Sequence, residues 1–348
     1  MLGRARELSE RKAEILRALV RHYIRTGEPV GSEALASAFD LGVSSATIRN
    51  ELAALEELGF LSQPHTSAGR APTDLAYRYY VDLLPARPRL RDSERRAVVH
   101  FFDEALADVD EILRGTTVLL SRLTRYASLA LAPSLKDAVV ARSELVNLGT
   151  ATMLLVVFET GRVEKRLLEL AEGPTDDLVE SASRTISEEL RGKAVAAAAR
   201  AVADRAKTSA APEREIFSPI AEALRSIQEA AEAEHLLLGG VTNIAAEEAF
   251  QRRETLRQIY DALERESSVL RLLREAAAAP PVSVTIGREN PTPEMWEATV
   301  VAAPYAAGGG AKGTIGVVGP TRMDYVAAIS AVRVVAERLS AAVEALQG

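Results

Sequence analysis

Apolar residues recur at helical spacing from the start of the chain. Between Ser9 and about Thr26, Ile15, Leu16, Leu19, Val20 and Tyr23 fall on one side and Arg11, Arg17, Arg21 and Arg25 elsewhere, which predicts an amphipathic helix ended by Thr26-Gly27-Glu28-Pro29. Ser32 is placed to cap a short second helix reaching Phe39, and Asp40-Leu41-Gly42-Val43 predicts a tight connector in which Gly42 takes a positive φ at little cost. A third helix is expected from Ser44 or Ser45 to about Leu58. Its Ile48, Leu52 and Leu55 recur at the spacing of one helix face and turn to a core, while Ala46, Arg49, Asn50 and Ala53 point the other way. Gly59 stops this helix, and Phe60-Leu61-Ser62-Gln63 predicts a short strand. A polar, turn-rich stretch follows to Pro72, with Thr73 expected to cap a helix carrying Tyr77, Tyr79 and Tyr80. Three short helices, a strand and a polar loop make a helix-turn-helix with a wing. The stretch from Pro85 to Arg91, rich in proline and arginine, predicts the linker that ends this unit.

Beyond the linker the period changes. A helical stretch is expected over 94–132, followed by strand-like runs at 138–148, 152–158 and 163–170 with turns at Gly149 and Thr160-Gly161, an antiparallel meander. Residues 175–279 read as mainly helical and rich in alanine and charge, interrupted at 209–212 and at 235–240, which predicts a single strand. Strands return at 282–286, 296–303 and 313–318, and an amphipathic helix over 325–346 closes the pattern. Because half-sheets of about three strands are marginal alone, this order is most economically one α+β sheet domain split by a helical insertion. The expected division is therefore a winged-helix domain at 1–84, a linker at 85–93, an α+β domain at 94–174 and 276–348, and an inserted helical domain at 175–275. The alanine runs 194–201 and 276–279 favour helix but bury little area, so those helices depend on packing against other helices or another subunit.

Composition narrows the function. With 348 residues, 47% hydrophobic and 26% charged, the chain has the make-up of an ordinary soluble globular protein of two or three domains. It contains no cysteine, which excludes disulfides, thiolate metal sites and cysteine nucleophiles and fits a reducing compartment. No apolar run approaches the roughly 18 residues of a membrane span, and Arg4, Arg6, Glu7 and Glu10 occupy the place of a signal-peptide apolar core, so a cytoplasmic protein with no membrane partner is expected. The net charge of −7 alone argues against a nucleic-acid binder. Residues 1–91, however, hold 13 Lys and Arg against 11 Asp and Glu, a net of +2, which leaves −9 for the remainder. A mildly basic head sits on an acidic body, one pointer to a head that faces nucleic acid.

Catalytic chemistry finds little support. The loop Gly308-Gly309-Gly310-Ala311-Lys312-Gly313-Thr314 invites a phosphate-loop reading, but Gly313 separates the lysine from Thr314 and a strand follows, so a hairpin turn is expected. His22, His65, His100 and His235 are the only histidines, and none pairs with another at metal-ligand spacing on a helix. No nucleophile elbow, zinc-protease or dinucleotide motif is present, so no catalytic residue, metal or cofactor is assigned and an enzyme is not expected. The helix-turn-helix remains. Side chains reach base edges in the major groove from the N-terminal half of the inserted helix, where Ser44, Ser45, Thr47, Arg49 and Asn50 lie. Arginine pairs well with guanine and asparagine with adenine, and the wing offers His65, Thr66, Ser67 and Arg70 to the backbone or minor groove. Three-helix units also serve as protein-interaction modules, and the pattern alone leaves that reading open.

The strings Gly27-Glu28-Pro29-Val30-Gly31-Ser32, Asp40 to Leu52, Leu55 to Leu61, and above all Gln63-Pro64-His65-Thr66-Ser67-Ala68-Gly69-Arg70 with Pro72-Thr73, resemble the HrcA family of heat-inducible transcription repressors. The resemblance resumes at Gly316-Val317-Val318-Gly319-Pro320-Thr321-Arg322-Met323-Asp324-Tyr325 and so spans nearly the whole chain. It implies a winged-helix DNA-binding domain, a GAF-like α+β domain and a dimerising insertion. It also implies a homodimer that represses chaperone operons through the inverted repeat CIRCE on double-stranded DNA, loses activity on heating and is kept active by the GroEL chaperonin. On the matching positions, Ser44, Ser45, Thr47, Arg49 and Asn50 become the implied readers and His65, Thr66, Ser67 and Arg70 the implied wing contacts. The second helix departs from the family, carrying Glu33, Ala34, Ser37 and Ala38 where relatives are often basic. At the C-terminal string, Thr321 or Asp324 is placed to cap the last helix and Arg322 to pair locally. A GAF-type regulator sensing a small molecule is the alternative reading.

Overall fold

The protein is described by a computed structural model that covers residues 8–64, 69–85, 88–104, 109–133, 138–149, 151–170, 175–211, 213–232, 235–246, 257, 259–261, 263, 267–277, 281–307 and 311–346. At the N-terminal end α1 (Glu10–Thr26), α2 (Ser32–Ala38) and α3 (Ser45–Glu57) close on one another through Leu16, Leu19, Leu35, Ile48 and Leu55, all fully buried. Ser9 caps α1, and Gly27, at φ +73°, ends it by donating its N–H to the Tyr23 carbonyl. Strands β1 (Leu61–Ser62) and β2 (Ala71–Pro72) pair antiparallel as the base of the wing, and α4 (Asp74–Asp82) leads out of the head. Thr73 holds the N-cap position of α4, but its hydroxyl does not cap. It donates to the carbonyls of Gly59 at 2.8 Å and Phe60 at 3.0 Å, fastening α4 to the turn after α3.

The body begins with α5 (Asp92–Glu104) and α6 (Val109–Thr124). Its strands are β3 (Ala127–Leu131), β4 (Val140–Asn147), β5 (Thr152–Phe158), β6 (Val163–Leu168), β7 (Leu236–Gly239), β8 (Ser283–Ile286), β9 (Ala298–Ala306) and β10 (Lys312–Pro320). Its further helices are α7 (Asp176–Leu190), α8 (Val195–Thr208), α9 (Glu213–Glu232), α10 (Thr242–Ala246), α11 (Ser267–Ala277) and α12 (Tyr325–Ala345). Five strands form one antiparallel sheet in the order β7-β3-β10-β9-β8, with β10 at its centre. One face carries Ala130, Val301, Ala303, Ile315 and Val317 against α5, α6 and α12, and that core continues without a break into the head. The opposite face carries Leu129, Val300, Ala302 and Val318 against α11 and the buried Ile259 and Leu263. The result is a helix, sheet, helix sandwich with the head at one end. A sheet covered on both faces hides every position of an inner strand, so β3 is buried throughout and its Ser128 hydroxyl is satisfied by the carbonyls of Thr117 and Gly239.

Three expectations about this region need correction. The helix expected to run to 132 stops at Thr124: Arg125 turns the chain at φ +63°, and residues 127–131 become β3. A short apolar run buried on both sides has no period to separate strand from helix. The meander forms as expected, in the order β4-β5-β6, but does not join the sheet of β8–β10. It packs on α7, α8 and α9 around Leu154, Val156, Phe158, Ile186, Val202 and Leu224, a second core. Backbone ties confirm the pairing of meander and helices, with Leu145 donating its N–H to Ser183 Oγ at 3.0 Å and Ser143 Oγ donating to the Ile186 carbonyl at 3.2 Å. Conversely β7 and α11, expected within the helical insertion, belong to the central sandwich, where Thr314 Oγ1 donates to the Leu273 carbonyl at 3.0 Å. Alternation tells which face of a strand is buried, not which partner buries it. The hairpin expected at the glycine loop is supported by the β9–β10 pairing of Ala306 with Lys312, while Gly308, Gly309 and Gly310 lie outside the described residues.

Tyr325, fully buried where α12 starts, has the rings of Tyr77 and Tyr80 at centroid distances of 5.8 and 6.4 Å. Burial, the largest influence, pushes the hydroxyls of Tyr325 and Tyr77 well above the usual tyrosine range, so both stay neutral. Tyr325→Ala is expected to destabilise the protein by about 3–5 kcal/mol, and Tyr325→Phe, which keeps the ring and loses the hydroxyl's bonds to the Thr321 carbonyl and the Thr299 hydroxyl, by about 1 kcal/mol. Urea unfolding of both variants checks the order; equal losses would mean that ring packing does not carry the seam.

Candidate nucleic-acid interface

The geometry of α3 starts with its cap. Ser44 is extended, accepts the Thr47 N–H at 3.2 Å, and its hydroxyl lies 3.1 Å from that of Thr47, so this N–H of the first turn is satisfied before any ligand arrives. Gly42, at φ +62°, makes the tight turn that brings Ser44 into place. With Ile48, Leu52 and Leu55 buried, the helix presents Ala46, Arg49, Asn50 and Ala53 to solvent. Glu51 on its flank is held by Lys12 at 2.8 Å and Arg11 at 3.9 Å, which fixes α3 against α1. Neither Arg49 nor Asn50 has a side-chain hydrogen bond or ion pair among the described residues. The outer face therefore begins with small side chains, which let a helix approach a groove floor, and then offers two free hydrogen-bonding groups of the kind that read base edges.

The wing is rooted on the same unit. Arg70 pairs through its backbone with Val30 and through its guanidinium with Glu56 at 2.8 Å, so it ties the returning wing strand to the end of α3. Phe60, buried beneath, packs edge-on against Tyr79 at 5.6 Å. Of the residues singled out from sequence, Ser44, Ser45, Thr47, Arg49 and Asn50 share the start of α3, and Arg70 stands at the wing base. His65, Thr66 and Ser67 lie outside the described residues. The other described histidines are scattered: His22 lies beside Phe39 on the head, His100 is exposed near Glu104, and His235 precedes β7. Among the described residues no group of three or more His, Asp or Glu is arranged to hold a metal ion, and no helix is long and apolar enough to cross a membrane.

Sequence reasoning missed how the head is held. On α4, Arg78 donates to both carboxylate oxygens of Glu289, at 2.8 and 2.6 Å, and also to Asp82 at 3.2 Å and the Val284 carbonyl. Burial is the largest single influence on Arg78 and lowers its pKa, yet the bonds and charges of Glu289 and Asp82 together leave it raised, so the cation is secure. Asp74 accepts the Arg288 N–H at 2.9 Å, and a Cβ on Gly287, itself at φ +50°, would stand 2.3 Å from Asp74 Oδ2. At the C-terminal string, Asp324 caps α12 by accepting the Ala327 N–H at 3.0 Å, as one of the two expected candidates. Arg322 does not pair locally. It donates to the Ile24 carbonyl at 3.4 Å and packs over Gly27, whose missing side chain leaves it room. Glu289 stands 211 residues from Arg78, and no local spacing signals such a pair; only the specificity of the C-terminal string hinted at a role.

Two family models match the chain. The winged helix-turn-helix transcription repressor HrcA DNA-binding model covers residues 7–82, and the HrcA protein C terminal domain model covers 110–329. A heat-inducible transcription repressor HrcA of Thermobifida fusca is 42% identical over 341 residues, covering 97% of each chain. That of Nocardia farcinica is 39% identical over 329 residues, covering 94% of each. A crystal structure of a hypothetical protein matches the fold with a TM-score of 0.72 at 24% identity, over 98% of this chain and all of the other.

Ser44 separates structural from reading roles. Ser44→Ala is expected to destabilise the head by about 1 kcal/mol and Ser44→Asp to restore the cap, because either an oxygen or a carboxylate satisfies the Thr47 N–H. Thermal unfolding measures both. Aspartate should nonetheless lower affinity for duplex DNA, since it sets a negative charge beside phosphate; wild-type affinity in Ser44→Asp would place Ser44 away from the duplex.

Proposed function

The chain belongs to the HrcA family of heat-inducible transcription repressors, and from that premise we propose that it binds an inverted-repeat operator of the CIRCE type as a cytoplasmic homodimer. The family is one of DNA-binding repressors of the heat-shock response and not of enzymes. The observation that carries the operator reading is the exposed face of α3, with Arg49 and Asn50 unpaired among the described residues behind a small-residue approach. In this reading Arg49 and Asn50 read bases, and Ser44, Ser45 and Thr47 contact phosphate or base edges. Arg70 and the wing residues His65, Thr66 and Ser67 lie along the backbone or minor groove.

A two-fold operator needs a two-fold protein. The outer face of the β4–β6 sheet supports a dimer contact: Met153, Leu155 and Val157 run down its middle strand, with Val146 and the exposed Leu167 beside them. Arg142 and Glu144 on one flank and Lys165 on the other give a charged rim. Residues 138–232, the meander with α7–α9, then form the dimerising insertion, and the five-stranded sandwich is the GAF-like domain it interrupts. Heat inactivation fits a head whose core is continuous with the body, because loosening the body releases the head. The chaperonin GroEL would restore the docked form. Both faces of the central sheet are covered by packed side chains, which favours a structural body over a ligand-sensing GAF pocket.

Arg49→Ala is expected to weaken specific operator binding by about 1–3 kcal/mol and to relax the choice of base at one position per half-site. Gel-shift titration against operators varied at each position reads both effects; unchanged affinity removes Arg49 from the readers. Leu155→Glu is expected to convert the dimer to monomer in sedimentation, with operator affinity falling in step. A monomer that still binds the full repeat as tightly would overturn the dimer mechanism.

A further inference from the structure

The seam between head and body contains a cleft of about 460 Å³, a volume suited to a small ligand. Arg21, Arg25 and Tyr80 line it from the head, and Tyr126, Arg322 and Asp324 from the body. Three arginines thus line it from two parts of the molecule. None of the three forms an ion pair with a carboxylate among the described residues. Arg21 lies over the Phe39 ring at 5.9 Å, and Arg322 donates to the Ile24 carbonyl at 3.4 Å, contacts that orient the two cations without neutralising them. Asp324 is the only carboxylate lining the cleft among the described residues, and it is engaged in capping α12 through the Ala327 N–H. Elsewhere on the seam the charges are matched, Arg78 by Glu289 and Asp82. Arg21 and Arg25 also stand one helical turn apart on α1, a like-charge spacing that is unfavourable without a counter-charge.

We propose that this cleft binds a small phosphorylated anion, clamped between Arg21 and Arg25 of the head and Arg322 of the body. Guanidinium forks match the oxygens of a phosphate group, and three of them answer the charge of a phosphate better than that of a single carboxylate. Tyr80 and Tyr126 border the same space, the Tyr126 hydroxyl accepting the Asp324 N–H at 3.0 Å. Because the ligand touches both parts, its binding energy stabilises the docked head by mass action, whatever the operator sequence. The site is separate from the α3 face and from the interior of the central sheet.

Isothermal titration of the full chain with inorganic pyrophosphate, in low-chloride buffer and without DNA, tests this. Saturable binding with a dissociation constant below about 1 mM and a raised unfolding temperature are expected. Arg25→Gln and Arg21→Gln, both on an exposed helix face, should each weaken binding roughly tenfold, while Arg17→Gln, outside the cleft, leaves it unchanged. Arg322→Gln should act likewise, and circular dichroism shows whether its fold is intact. No saturable heat, or the same affinity in wild type, Arg21→Gln and Arg25→Gln, overturns the proposal. So does the outcome in which pyrophosphate fails to bind while the arginine variants lose affinity for duplex DNA, because the arginines then serve the DNA backbone. An operator-binding failure of Arg49→Ala bears only on the reading face, so the two ideas fail separately.

Discussion

Tyr325 at the start of α12, with Tyr77 and Tyr80 of α4 packed across it, is where the molecule is joined. A winged helix of this size has a small core of its own, and here that core is not closed off. Leu16, Leu55 and Phe60 continue through the tyrosines into Val317, Val332 and Leu339 of the body. The orientation of the reading helix is therefore set by the same packing that holds α12 on the central sheet. An interface between domains within a chain is by default mobile unless large and apolar. This one is apolar at its centre and bordered by the Arg78–Glu289 pair, which is bidentate and so resists rotation as well as separation.

The polar ring around the tyrosines has consequences for regulation. Arg78, Asp74 and Gly27 come from the head, and Glu289, Arg288 and Arg322 from segments that begin and end the last two strands of the body. A change anywhere in β8, β9 or β10 is thus felt at α1 and α4. Two glycines make the close approach feasible, Gly27 beneath Arg322 and Gly287 beside Asp74, both at positive φ where a side chain would be strained and crowded. The linker is held as well, with Arg333 of α12 donating to the Pro88 carbonyl at 2.7 Å. The meander and its helices stand apart from this system with a core of their own, joined to α6 by Arg162, 3.7 Å from Asp110. One part of the body therefore packs independently of the part that holds the head.

Much of the head was legible from sequence because its signals are local. Ser44 before Ile48, Leu52 and Leu55 specifies cap, helix and buried face within a dozen residues, and Gly42 and Gly59 mark the turns on either side. The exposure of Arg49 and Asn50 follows from the same helical period. The body was legible strand by strand and not as an assembly. Leu154, Val156 and Phe158 alternate cleanly, yet that pattern is the same whether the strand packs on α7 and α8 or on the central sheet. β3 escaped altogether, since Ala127 to Leu131 is buried on both faces and offers no period. Arg78 carried no signal of its role and Arg322 was expected to pair locally, because their partners are remote in sequence.

The sequence by itself determined the elements of the head, the face that α3 turns outward and the charge contrast between a basic head and an acidic body, because each depends on neighbours within a few turns. Tertiary structure alone decided which strands share a sheet, which helices cover it and how the head is locked to the body. Those outcomes rest on contacts remote in sequence, the sheet on pairings such as Ala127 with Val318 and the lock on Arg78 with Glu289 and Arg322 with Ile24. Local propensity and periodicity are blind at that separation, since they describe what a segment hides and not what it meets.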